Sequence, residues 1–129
     1  MKIDLNSDLN PGIWYDMEGT DVSVCLRVCT SDSYKEIRKK TVRNRVEYKQ
    51  GQRFMFEDTN EDERNKLVWD YCIVDWKGIY DAENKPIPCT KEFKLILMNK
   101  SVKFAEFVTT KLNLLRELKD AHSKEEEKN

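Results

Sequence analysis

Apolar and polar positions alternate from Asp21 to Thr30, with Val22, Val24, Leu26 and Val28 on one face and Ser23, Cys25, Arg27 and Cys29 on the other. A period of two predicts a strand, and Ile13-Trp14-Tyr15 ahead of the Glu18-Gly19-Thr20 turn predicts its hairpin partner. Alternation returns from Arg45 to Glu57, where Val46 and Tyr48 precede a Gln50-Gly51 turn and Phe54 and Phe56 follow it. A second hairpin is one reading of that segment and an irregular loop is the other. Between the two regions, Ser33-x-x-Glu36 is a capping box that opens a helix to about Asn44. Its apolar stripe (Tyr34, Ile37, Thr41, Val42) is thin, which places it on the outside of something else.

The second half reads as helical. Asn60-x-x-Glu63 is an N-cap signature with acids in the dipole-favoured first turn. In Leu67–Trp76 the apolar side chains point all round at 100° per residue, as in a buried central helix or a buried strand. The cap and the total length favour the helix. Gly78–Cys89 carries turn chemistry and a Pro86-Ile-Pro88 segment that no helix crosses. Thr90 opens a helix through about Met98, and Ser101 caps the longest helix, which runs to about His122. On that last helix Phe104, Phe107, Val108, Leu112, Leu114, Leu115 and Leu118 span an arc of roughly 160°, where a peripheral helix needs roughly 100°. Either the helix packs between two other elements, or part of the stripe, around Leu114 and Leu118, meets another chain.

These elements add up to a single α+β domain over 1–119. An N-terminal strand-rich hairpin region precedes a helical C-terminal half of three helices, the last one long. A charged tail, 120–129, is expected to be disordered. The 129 residues suffice for one core without staples. Charged residues make up 36%, well above the usual quarter, yet 23 basic against 24 acidic side chains leave a net charge of −1. Bulk charge therefore gives no attraction to nucleic acid or to an anionic membrane. The longest apolar runs, such as Leu95–Met98, fall far short of the roughly 20 residues of a membrane span. Met1–Asn10 lacks the apolar region of a secretory signal, so the protein is expected in the cytoplasm, with Cys25, Cys29, Cys72 and Cys89 as reduced, buried small side chains.

Little in the chain points to catalysis. Gly12, Gly19, Gly51 and Gly78 are too far apart for a phosphate loop. The lone histidine, His122, sits in the tail, so a nucleophile has no base beside it. Cys25-x3-Cys29 has no second pair at zinc spacing. Asp70 and Asp75 are the acids within an apolar run, and Asp75 is placed to cap the loop that follows. No enzyme activity, cofactor or metal is expected. From Lys35 to Arg53 eight basic residues stand against two acidic ones, and on a helix Lys35, Lys39 and Arg43 would line up, four apart. Such a stripe could meet phosphates. It is read here as a solvated face balanced by the acidic block at 57–63, with no nucleic acid expected.

The stretch Trp69-Asp-Tyr-Cys-Ile-Val-Asp-Trp-Lys-Gly78, followed by Asp81-Ala-Glu-Asn-Lys-Pro-Ile-Pro-Cys-Thr90, resembles the small tail assembly chaperones of long-tailed bacteriophages and prophages. The family pattern is an apolar helix ending in a Val-x-Trp-x-Gly-like corner, a turn, a Pro-hydrophobic-Pro segment and a Thr-capped helix. Lys35-Glu-Ile-Arg-Lys-Lys40 and Val46-Glu-Tyr-Lys49 add to the resemblance, which covers most of residues 20–120. It implies a protein that binds the tape measure protein, keeps it soluble, recruits tail tube subunits and leaves before the virion is complete. It also implies a tendency to self-associate into a homo-oligomer. Phe104, Phe107, Leu114 and Leu118 are the candidate anchors for a partner helix, with plain core packing as the other reading. Two alternatives belong to other classes: a component that stays in the particle, such as a head–tail connector or minor tail protein, and a small nucleic-acid-binding regulator using Lys35, Lys39 and Arg43.

Overall fold

The computed structural model describes the backbone of residues 10–127 and the side chains of residues 10–118. The segment through residue 9, the His122 side chain and the last two residues lie outside the described part. Nine elements follow in order: β1 (Ile13–Asp16), β2 (Ser23–Leu26), α1 (Ser31–Thr41), β3 (Val42–Lys49), β4 (Gln52–Thr59), α2 (Glu61–Cys72), β5 (Ile73–Lys77), α3 (Lys91–Lys100) and α4 (Val102–Glu127). This is the expected α+β architecture, with the strand-rich part first and the longest helix last.

The core forms where an antiparallel three-stranded sheet, ordered β1-β2-β5, meets α3 and α4. The central strand β2 carries Val24 and Leu26, both fully buried, and α4 answers with Phe104, Val108, Leu112 and Leu115. Those four lie three or four residues apart, so they form one stripe. Cys72, Ile73, Trp76 and Met98 complete the cluster. Trp76 meets Phe104 edge to face, with ring centroids 5.8 Å apart, and its Nε1 donates to the carbonyl of Ile87 at 2.7 Å. That bond ties the Pro86-Ile-Pro88 segment to the core, and Ile87 N–H donates back to Ile79 at 2.9 Å.

Several boundaries differ from the sequence reading. The helix expected across Leu67–Trp76 ends at Cys72, and Ile73–Lys77 is instead a strand paired with β2 (Val24 opposite Trp76, Leu26 opposite Ile73). β-Branched Ile73 and Val74 favour extended backbone, and a free strand edge on β2 supplies the hydrogen bonds. The first helix is capped by Thr30, whose hydroxyl accepts from Ser33 N–H, so Ser33 is not the cap. It ends at Thr41, short of the expected Asn44, because Val42 already pairs with Thr59 in the second hairpin. The helices correspond to the expected ones, α1 within the strand-rich part and α2, α3 and α4 in the C-terminal half. The backbone of α4 stays helical past His122 to Glu127, where a disordered tail was expected. Asn60, Thr90 and Ser101 cap as predicted.

The β3–β4 hairpin is a real arm. It pairs in full register from Val42–Thr59 to Lys49–Gln52 around a turn in which Gln50 and Gly51 have φ of 52° and 75°. Those values are the signature of a two-residue hairpin turn. Asn60 N–H donates to Thr41 at 2.8 Å and closes the arm at its base, between α1 and α2. No helix among the described residues is long and apolar enough to cross a membrane.

Candidate functional site

The four predicted anchors on α4 separate into two groups. Phe104 is 4% exposed and belongs to the core, against Trp76. Phe107 is half-buried, with the Lys111 ammonium 5.8 Å from its ring centroid. Leu114 and Leu118 face outward, and Leu118 is 57% exposed. At 100° per residue they lie 40° apart, one turn from each other, which makes a short apolar ridge.

Beside that ridge runs an open groove of about 390 Å³, flanked by Pro11, Ile13, Val28, Leu115 and Leu118. Its N-terminal wall is held firmly. Asn10 Nδ2 donates to Val28 O at 2.8 Å and to the Tyr71 hydroxyl at 3.3 Å. Arg27 donates through Nε to Tyr71 O and through Nη1 to Asn10 O, while its guanidinium stacks 3.8 Å from the Tyr71 ring centroid. Gly12 lets the wall approach β2: a Cβ there would lie 2.9 Å from Cys25 Sγ and 3.0 Å from Leu26 O. The groove is therefore preformed and apolar, with an exposed leucine at its lip.

The basic stripe does not form as drawn. Lys35 and Lys39 are on α1, but Arg43 lies beyond its end, on β3, opposite Asp58. The neighbouring charges are largely matched: Lys39 pairs with Glu36, Arg38 with Glu57 at 2.8 Å, and Arg45 with both Asp58 and Glu47. Part of the acidic block at 57–63 thus folds back onto the basic segment, as the sequence reading anticipated.

The arm carries apolar side chains that no helix covers. Val46, Tyr48 and Met55 lie on one face, and Phe54 and Phe56 on the other. The two phenyl rings stack with centroids 6.5 Å apart, and the Arg45 guanidinium sits 4.9 Å from the Phe56 centroid. Of the hairpin and the irregular loop that the alternation around Gln50-Gly51 allowed, the hairpin forms, but nothing in the pattern told that neither face would meet the core.

A second opening of about 550 Å³ lies against Cys29, Tyr34, Val68 and Arg116. The Sγ atoms of Cys29 and Cys72 are 3.8 Å apart. A hydrogen bond from the Cys72 thiol, aided by Ser33 and the charges of Arg116 and Arg27, draws Cys29 down to about 7 against burial. Cys72 is pushed up correspondingly, first by donating that hydrogen bond and then by burial. All four cysteines are free, and the described residues hold no cluster of three or more His, Cys, Asp or Glu that could hold a metal ion.

No curated protein and no solved structure matches the chain. A family model described as YdaY prophage protein matches residues 29–129.

Proposed function

Since the chain belongs to the YdaY prophage protein family, we propose that it is a tail assembly chaperone of the prophage, a non-catalytic protein that binds the tape measure protein reversibly and helps bring tail tube subunits to it. The observation that carries this reading is the ridge of Leu114 and Leu118 beside the apolar groove. A partner helix laid along it would place anchors at i, i+3, i+4 and i+7 against the leucines and into the groove. A heavily charged exterior keeps such a complex in solution. The resemblance of residues 69–90 to tail assembly chaperones supports the same reading. On it, the chain acts in the cytoplasm of the bacterial host and is absent from the mature virion.

The test is co-expression with the tape measure protein of the same prophage. The soluble fraction of that protein should rise several-fold with the wild-type chain and fall back with Leu118→Lys, a variant whose circular dichroism should match the wild type. A soluble fraction indifferent to the chain would overturn the proposal.

A further inference from the structure

β4 is an edge strand exposed at every residue and paired on one side only, by β3. A two-stranded hairpin without further partners is marginally stable in water, and a long apolar edge invites another strand. The backbone pattern of that edge follows from the turn. Around a two-residue turn the flanking pair, Lys49 and Gln52, is the hydrogen-bonded one. Alternation then directs the peptide groups of Gln52, Phe54, Phe56 and Asp58 toward β3, and those of Arg53, Met55 and Glu57 outward.

Read backwards, the edge complements itself. In an antiparallel pairing centred on Met55, Met55 stands opposite Met55 of the second copy, Arg53 opposite its Glu57, Phe54 opposite its Phe56, and Gln52 opposite its Asp58. Opposite charges and aromatic pairs are the favourable cross-strand combinations. The same register joins outward peptide groups to outward peptide groups, at Met55 with Met55 and at Arg53 with Glu57. Side-chain complementarity and hydrogen-bond geometry thus select one register. The other edge of the arm is mixed: the equivalent pairing of β3, centred on Val46, sets Arg45 against Glu47 of the second copy but also Arg43 against Lys49, a like-charge contact that β4 lacks.

The geometry points to a homodimer in which two copies of this chain join through β4 about a two-fold axis at Met55, giving an antiparallel sheet ordered β3-β4-β4-β3. Such an interface is isologous and closes on itself. The register puts Gly51, at the tip of one arm, opposite Thr59, at the base of the other. The two bodies therefore sit at opposite ends of the shared sheet, away from each other. Phe54 and Phe56, each 39% exposed in the single chain, form a four-ring cluster with their counterparts. This assembly leaves the α4 groove free and stands independently of the tail assembly reading.

Sedimentation velocity of the full chain over the micromolar range tests it. The wild type should sediment at twice the 15.4 kDa chain mass. Met55→Lys places two like charges on the axis and should weaken the dimer at least tenfold. Arg53→Glu should do the same, and adding Glu57→Arg to it should restore the dimer. Both positions are exposed, so circular dichroism should stay unchanged, and if one variant fails to fold the other decides. A wild-type monomer throughout the range, or a dimer that survives both variants, overturns the inference.

Discussion

Lys94 on α3 lies buried with its ammonium 2.9 Å from the carbonyl oxygen and 3.2 Å from Oδ1 of Asp70, on α2. The pair fastens α3 to α2. The Lys94 side chain is 9% exposed and the Asp70 side chain 39%. Removing the carboxylate leaves a buried cation with only the Asp70 carbonyl as its hydrogen-bond partner among the described residues, whereas removing the cation leaves only a partly solvated acid. Asp70→Ala should therefore cost more stability than Lys94→Met. With allowance for solvent screening at Asp70, the expected cost is about 1–2 kcal/mol for Asp70→Ala and close to zero for Lys94→Met. Urea unfolding midpoints check the order of the two.

The α4 stripe should divide sharply under truncation. Phe104→Ala opens a cavity beside Trp76 and should cost about 3–5 kcal/mol. Leu118→Ser changes an exposed side chain and should stay within about 0.5 kcal/mol. Denaturant titration of both variants tests the division, and equal losses would mean that Leu118 is part of the core.

What the sequence made legible follows from where the signals are local. The β1–β2 hairpin, the Gln50-Gly51 arm and the caps at Asn60, Thr90 and Ser101 are written within a few residues of where they act. The switch from helix to strand at Cys72-Ile73 is not. No glycine or proline marks it, and Leu67–Trp76 is apolar all round because both of its halves are packed against the core. The pairing of β5 with β2 joins residues about fifty apart, from Leu26 with Ile73 to Ser23 with Lys77, and depends on a free edge that only the folded chain presents. Nothing local marks Lys94 as buried either, since its partner Asp70 lies on another helix. On α4 the wide arc was readable, but which of its residues face the sheet depended on the position of β2. That geometry separates buried Phe104 from exposed Leu118.

Gly78 has φ of +79°, and a Cβ there would lie 2.1 Å from the carbonyl oxygen of Asp21. Gly78→Ala should lower stability by more than about 2 kcal/mol, since backbone must move and a left-handed conformation is imposed on alanine. Gly19 has φ of +75° but nothing within 4 Å of the same position. Gly19→Ala should cost only the conformational penalty, about 1 kcal/mol. Thermal or urea unfolding of the two variants separates a close backbone approach from a turn preference.

Cys29, drawn down to about 7 by its hydrogen bond from Cys72, should be the fast thiol of the described cysteines. Cys89, pushed up to about 11 chiefly by burial, should be slow. Alkylation follows the thiolate fraction, so the rate at Cys29 should climb about tenfold per pH unit below 7 and level off above it. An ordinary thiol would still be climbing at pH 8. Peptide mass spectrometry after timed iodoacetamide treatment reads each site. Cys72→Ser keeps a donor beside Cys29 and should preserve most of the effect, whereas Cys72→Ala should move the midpoint upward.

The claim that this prophage protein serves tail assembly is tested most directly by comparing two fractions from an induced lysogen carrying a tagged chain. One is the nuclease-treated material bound to the chain, and the other is the purified virions, both read by mass spectrometry. The tape measure and tail tube proteins should appear in the bound fraction and be lost with Leu118→Lys, and no copy of the chain should be found in virions. The chain recovered as a stoichiometric virion component, or a bound fraction that vanishes with nuclease, would contradict it.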